Sequence, residues 1–276
     1  MNKVRGLAIL NVISFISHLV VTYLTQTKSI NTKDVGEISD LYRTLVTPAG
    51  FTFAIWGIIY TYLSIFCVYH IVMAYKRNKD NGANKDTHRI GYLFFVNNFA
   101  TAAWLIAWTH EQLLLSVLLI LLQLSTLIFI HRRLHIHSRL RNPGAKISTE
   151  LPLSLYFGWI SLATIANISS WLKASGWNAW GIAESYWAGV MIFIATIIGV
   201  LMILRRRNIL FGLVFMWGFY GIISALDARD MTEYTLVSSI AWGGIIIMGL
   251  CVVIQIAKGI AYQKPLHQEN PGETTQ

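Results

Sequence analysis

Long apolar runs separated by short polar stretches dominate the chain, and the pattern repeats about eight times. The runs fall at 6–25, 50–74, 90–109, 112–131, 150–172, 183–204, 209–226 and 234–257. That length, roughly 18 to 25 residues, is what a helix needs to cross about 30 Å of hydrocarbon. Strands of a membrane barrel would alternate apolar and polar positions over about ten residues, and these Leu, Ile, Val and Phe runs do not alternate. Lipid offers the backbone no hydrogen-bonding partner, so the spanning element must satisfy its own amides, as a helix does. The expected fold is all-α, a polytopic membrane helix bundle of about eight transmembrane helices.

Composition strengthens this picture. A chain of 276 residues that is 55% hydrophobic and only 13% charged has too little polar surface to cover a water-soluble globule. The net charge of +9 raises the question of nucleic acid, but no soluble basic segment exists to bind it. The positive residues flank the apolar runs instead. With the N-terminus, every second loop and the C-terminal tail on one side, that side holds 17 of the lysines and arginines and the other holds 5. Such asymmetry marks the cytoplasmic face, so both termini are expected inside and the protein in the cell membrane as a multi-pass component. The tail 263–276 is polar, contains Pro271 and Gly272, and is expected to be disordered.

Chemistry-bearing residues are sparse inside the runs. No Asp, Glu, Lys or Arg lies near a predicted midplane, which argues against a carrier driven by a buried carboxylate. His18 is the one titratable side chain expected deep in the bundle, and a helix–helix hydrogen bond accounts for it. Cys67 and Cys251 each sit in an apolar run and read as packing residues. His131, His135 and His137 have no Cys or acidic companion and read as a headgroup-facing stretch, with no metal site expected. Nothing resembles a phosphate loop, a nucleophile elbow or a metalloprotease helix. No cofactor is required by any residue pattern.

The amides and indoles carry more. Asn97, Asn98 and Asn167 lie within apolar runs, where side-chain amides must find partners, and so mark the bundle interior. Ten tryptophans occur, and an interfacial aromatic belt accounts for most of those near the outer side, among them Trp56, Trp104, Trp108, Trp171, Trp177, Trp180 and Trp187. Trp104 and Trp108 are four apart and share a helix face, and Trp159 and Asn167 share another. Two aromatic faces of this kind suit either an ordinary tight bundle or a pocket for a flat, largely apolar ligand. The connection 25–49, with Asp34, Glu37 and Asp40, is either a solvated linker or a lid over an outward-facing cavity.

Three segments resemble the translocator protein family, also called tryptophan-rich sensory proteins. TPAGFTFAIWGIIY at 47–60 resembles the family's entry to helix two, VNNFATAAW at 96–104 its helix-three Asn and Trp stretch, and LPLSLYFGWISLATIANISSW at 151–171 its fifth helix. In the last, Pro152, Trp159, Ala163, Thr164, Asn167 and Trp171 fall in the family's order and spacing. The chain departs from the pattern in three places. Pro48 is followed by Ala49 where a double proline is usual, helix three lacks its prolines, and Ile168 stands where the family's proposed sterol motif has a tyrosine.

The resemblance implies a five-helix core over 1–175, three additional transmembrane helices over 176–262, and a ligand pocket opening toward the long first loop. Matching residue by residue, it implies a pocket formed by Phe51, Trp56, Asn98, Trp104, Trp108, Trp159, Ala163 and Asn167, with Pro48 at the mouth. The implied ligand is a porphyrin or another apolar small molecule, and the implied role is that of a receptor or carrier. The alternative is a permease-like or accessory subunit acting through partner helices or as a homodimer, using surfaces at Gly218–Gly221 and at Gly243 and Gly244. A membrane enzyme is the third reading, and the bundle shows no carboxylate pair or metal set to support it.

Overall fold

The computed structural model describes residues 2–76, 82–136, 143–228 and 234–263, with side chains described to residue 259. His137 and the tail from 264 onward lie outside the described residues. The order of elements is α1 (Asn2–Gln26), α2 (Val35–Leu41), a 3-10 turn (Gly50–Ala54), α3 (Ile55–Tyr75), α4 (Gly82–Ile90), α5 (Leu93–Thr109) and α6 (Leu113–Leu134). There follow α7 (Pro143–Ala145), a π-turn (Lys146–Glu150), α8 (Leu151–Ala174), a second, short 3-10 turn (Ala179–Gly181), α9 (Glu184–Arg206), α10 (Ile209–Asp227) and α11 (Thr235–Gln263). Among the described residues seven helices are long and apolar enough to cross a membrane, and eight spans result if the bent pair α4 and α5 counts as one.

The apolar run expected at 90–109 is α5, and the structure adds before it a short polar helix, α4, that no apolar run announced. The axes of α4 and α5 meet at 55°, and the break falls at Gly91, whose φ of +56° is costly for any residue with a Cβ. α4 buries Ala83, Asp86, Thr87 and Ile90 on one face. α5 is left with 17 residues, about 25 Å at 1.5 Å per residue, which is short for a bilayer core.

Packing makes α8 the hub. It contacts α3 and α6 on one side and α10 on the other, while α1 joins α3 and α5, and α9 and α11 pack on α10 and each other. Small residues set the closest approaches. A Cβ on Gly218 would strike Leu162, one on Gly221 would strike the Thr52 side chain, and one on Gly244 would strike Thr196 and Phe219. Three of the four glycines that read as surface for partner helices are therefore filled from within the chain. Only the Cβ position of Gly243 opens on free space.

The amides expected inside are inside. Asn97 donates to the Gln123 carbonyl at 3.1 Å and to Thr126 at 2.8 Å, tying α5 to α6. His18 Nδ1 and Asn98 Oδ1 are hydrogen-bonded at 3.1 Å, the helix–helix bond expected for this histidine. A second deep histidine, His70, bonds Thr87 at 2.8 Å and Thr149 at 3.0 Å, binding α3 to α4 and the π-turn. Cys67 and Cys251 are free and buried, as packing residues should be.

Candidate functional site

The first loop folds back over the outer end of the bundle and its residues become a cavity roof. α2 starts at a capping box: Asp34 accepts from the Glu37 amide at 3.0 Å and Glu37 accepts from the Asp34 amide at 2.8 Å, satisfying two donors of the first turn. The short helix presents Val35 and Ser39 downward into the cavity, and Val46 and Pro48 follow at its edge.

The roof is fastened at several points. Glu111, held at φ +60° between α5 and α6, accepts from Lys33 Nζ and from the Tyr42 hydroxyl, each at 2.7 Å. Lys173 Nζ, near the end of α8, donates to the Arg43 carbonyl. The Leu45 amide donates to Glu184 Oε1 at 3.1 Å, and the Ala49 amide to the Gly221 carbonyl at 2.9 Å. The bond from Lys33 first, and that from Tyr42 second, hold the Glu111 carboxyl below the usual carboxylate range. The same contact raises the Tyr42 phenol. Of the two readings of this connection, the lid describes what its residues do.

Below the roof the walls are indoles. Trp104 and Trp108 stack with ring centroids 5.8 Å apart and planes at 17°, as their spacing on one α5 face allows. The Trp108 N–H donates to the Val35 carbonyl at 3.1 Å, fixing α2 to α5. The Trp104 N–H donates to Asn167 Oδ1 at 2.8 Å, and the Asn167 amide donates to Ser116 at 2.9 Å. Opposite, Trp159 meets Phe53 and Trp56 edge-on at 6.0 and 6.1 Å. Trp56 in turn stacks on Tyr60 at 5.2 Å. Trp104 and Trp108 are buried rather than interfacial, whereas Trp177, Trp180 and Trp187 cluster at the outer rim with centroids 5.3 to 5.4 Å apart.

Seven residues singled out in the sequence therefore line one cavity: Pro48, Trp56, Trp104, Trp108, Trp159, Ala163 and Asn167. Phe51 and Asn98 do not. Phe51 projects outward from the 3-10 turn and packs edge-on against Trp217 at 5.5 Å, because three-residue periodicity there sends Phe53 inward instead. Asn98 faces α1, not α8, and its amide serves His18, Ser14 and the Phe94 carbonyl.

Sequence reasoning missed the wall contributed by the later helices, where Met191, Ile192 and Ala195 of α9 and Phe219 and Ile222 of α10 close the cavity. The available signal was the pair Gly218 and Gly221, whose spacing lets α10 approach α8 and the 3-10 turn.

The cavity's free volume is about 60 Å³, room for a few waters between the aromatic walls. Trp159 lines it, is 2% exposed, and its Nε1–H has no acceptor among the described residues. A buried donor left so costs about 1–3 kcal/mol, which an acceptor on a bound molecule would recover. No group of three His, Cys, Asp or Glu that would hold a metal ion occurs among the described residues.

A bundle of membrane-spanning helices that encloses a covered, tryptophan-walled cavity defines the class: a polytopic helical membrane protein built around an apolar cavity. The family model described as TSPO-like protein matches residues 8–254, and the chain belongs to that family. The match takes in α9 and α10 whole and most of α11, the helices that supply the missed wall. No curated protein and no solved structure matches the chain significantly.

Proposed function

We propose that this membrane protein binds a flat, largely apolar small molecule of the tetrapyrrole class between its indole walls and acts as a receptor or carrier for it. The observation that carries the reading is the cavity itself: Trp104 and Trp108 form one wall, Trp159 with Trp56 and Phe53 the other, beneath a fastened lid, and the Trp159 N–H lacks an acceptor among the described residues. Stacking supplies affinity for a flat ring system, and the single donor suits a carboxylate or carbonyl at its edge. The closed cavity is smaller than a macrocycle, so binding requires the lid to lift and α10 or α9 to move outward.

The test is a titration of detergent-purified protein with protoporphyrin, followed by tryptophan quenching, beside Trp159→Ala. Saturable quenching in the wild type and at least tenfold weaker binding in the variant is the expected result. Equal affinity in the two proteins overturns the cavity as the site, and absence of saturable quenching overturns the ligand class.

A further inference from the structure

The opposite, basic face carries a second concavity of different chemistry. Between the ends of α6 and α9 lies a groove of about 280 Å³. Arg132 and His135 border it from α6 and Arg206 from α9, while Ile128, Phe157 and Met202 form its inner wall. α6 and α9 make no extensive contact of their own among the described residues. α8 packs on α6 and α10 packs on α9, and α8 supplies Phe157 to the groove. His131 packs on that ring with the centroids 4.5 Å apart and the planes tilted by 40°.

Two features give the groove a direction. Its polar end is cationic: both arginines are exposed, and neither forms an ion pair with a carboxylate of the described residues. Its other end is aliphatic and aromatic and runs along α6 and α9 into the span. Both helices also end here with left-handed residues, His135 at φ 47° and Arg207 at φ 54°. A guanidinium pair above an apolar slot matches a phosphate diester joined to acyl chains, whereas a small soluble anion would use only the upper half.

We propose that this groove is a site for an anionic phospholipid, whose phosphate lies between Arg132 and Arg206 and whose acyl chain packs on Ile128, Phe157 and Met202. The site is independent of the outer cavity and of any ligand bound there.

The test uses full-length protein in detergent and native mass spectrometry, comparing retention of phosphatidylglycerol with phosphatidylcholine of the same chains. Phosphatidylglycerol is expected to be retained preferentially. The double variant Arg132→Gln/Arg206→Gln is expected to lose roughly tenfold or more of that preference, while Arg205→Gln, which lies off the groove, keeps it. Ile128→Trp, which narrows the slot and leaves both arginines in place, is expected to weaken retention too. Equal retention of the two lipids, an unchanged double variant, or full retention in Ile128→Trp overturns the proposal. So does displacement of the lipid by millimolar inorganic phosphate, which would make the groove a site for a free anion.

Discussion

The Trp104 indole donates to the side-chain oxygen of Asn167 at 2.8 Å, and Asn167 passes the link on to Ser116 at 2.9 Å. One buried amide thus joins α5, α8 and α6 at the cavity wall. Replacing it by Asn167→Leu strands the Trp104 N–H and the Ser116 acceptor together. Interhelical hydrogen bonds in bilayers average about 0.6 kcal/mol, and a stranded buried donor adds to the loss, so a destabilisation of roughly 1–2 kcal/mol is expected. A double-mutant cycle with Trp104→Phe, read by denaturant unfolding in detergent, isolates the bond: Asn167→Leu is expected to cost less in that background. Equal cost in both would mean the contact carries no energy.

The lid latch has a defined pH window. Glu111 titrates below its ordinary value when folded, chiefly through Lys33, so its contribution is present above the usual carboxylate pKa of about 4.3 and is lost as pH falls through the folded value beneath it. Tyr42 titrates above its ordinary value through the same contact, so its share is intact below about 10 and is lost as pH rises through the higher folded value. The lid is therefore expected to stay closed from about pH 5 to 9. Spin labels at Leu41→Cys and Leu114→Cys, both exposed positions, report the separation of α2 from α6. A narrow distance distribution at neutral pH should broaden in acid, and Glu111→Gln should broaden it at every pH. A narrow distribution in Glu111→Gln would assign the latch elsewhere.

The 3-10 turn sits on α10 because Gly221 has no side chain. Its carbonyl accepts from Ala49, and a Cβ there would run into the Thr52 side chain. Gly221→Ala forces the turn that carries Phe53, and with it the preceding Pro48, away from α10. Overpacking of this kind costs about 1–3 kcal/mol. Thermal unfolding in detergent should show that loss for Gly221→Ala and little change for Gly243→Ala, whose Cβ meets nothing within 4 Å. Equal melting of the two variants would show that the turn yields freely.

How far the sequence could be read depends on whether the signal was local. The spans were legible because crossing lipid demands a minimum run of apolar residues, a property of each segment alone. Trp104, Trp108, Trp159 and Asn167 were legible because spacing of four or eight places residues on one face of a helix whose course is known. Phe51 and Asn98 were not, since their directions depend on a 3-10 turn at Gly50–Ala54 and on α5 packing against α1 as well as α6. The wall from Met191, Ile192 and Phe219 was hidden for a stronger reason. It comes from helices distant in the chain, brought in by glycine contacts whose partners, Leu162 and Thr52, no local pattern identifies. The bend at Gly91 escaped because α4, GANKDTHRI, is polar and short and carries no apolar run that would announce a helix.

Trp159 separates binding from packing more cleanly than any other wall residue. Its Nε1–H is buried without an acceptor among the described residues, whereas its ring is held by Phe53 and Trp56. Trp159→Phe removes the donor and keeps an aromatic ring in the wall. In the empty protein the lost donor relieves a desolvation cost while the smaller ring leaves space, two effects of about 1–3 kcal/mol and opposite sign, so the melting temperature is expected to move little. With protoporphyrin bound, the donor has an acceptor to serve, and its loss should weaken binding by roughly 3- to 30-fold. Weaker binding at unchanged stability would assign Trp159 a direct hydrogen bond to the ligand. Unchanged binding would leave it a stacking surface alone, and Trp159→Ala would then be the variant that abolishes affinity.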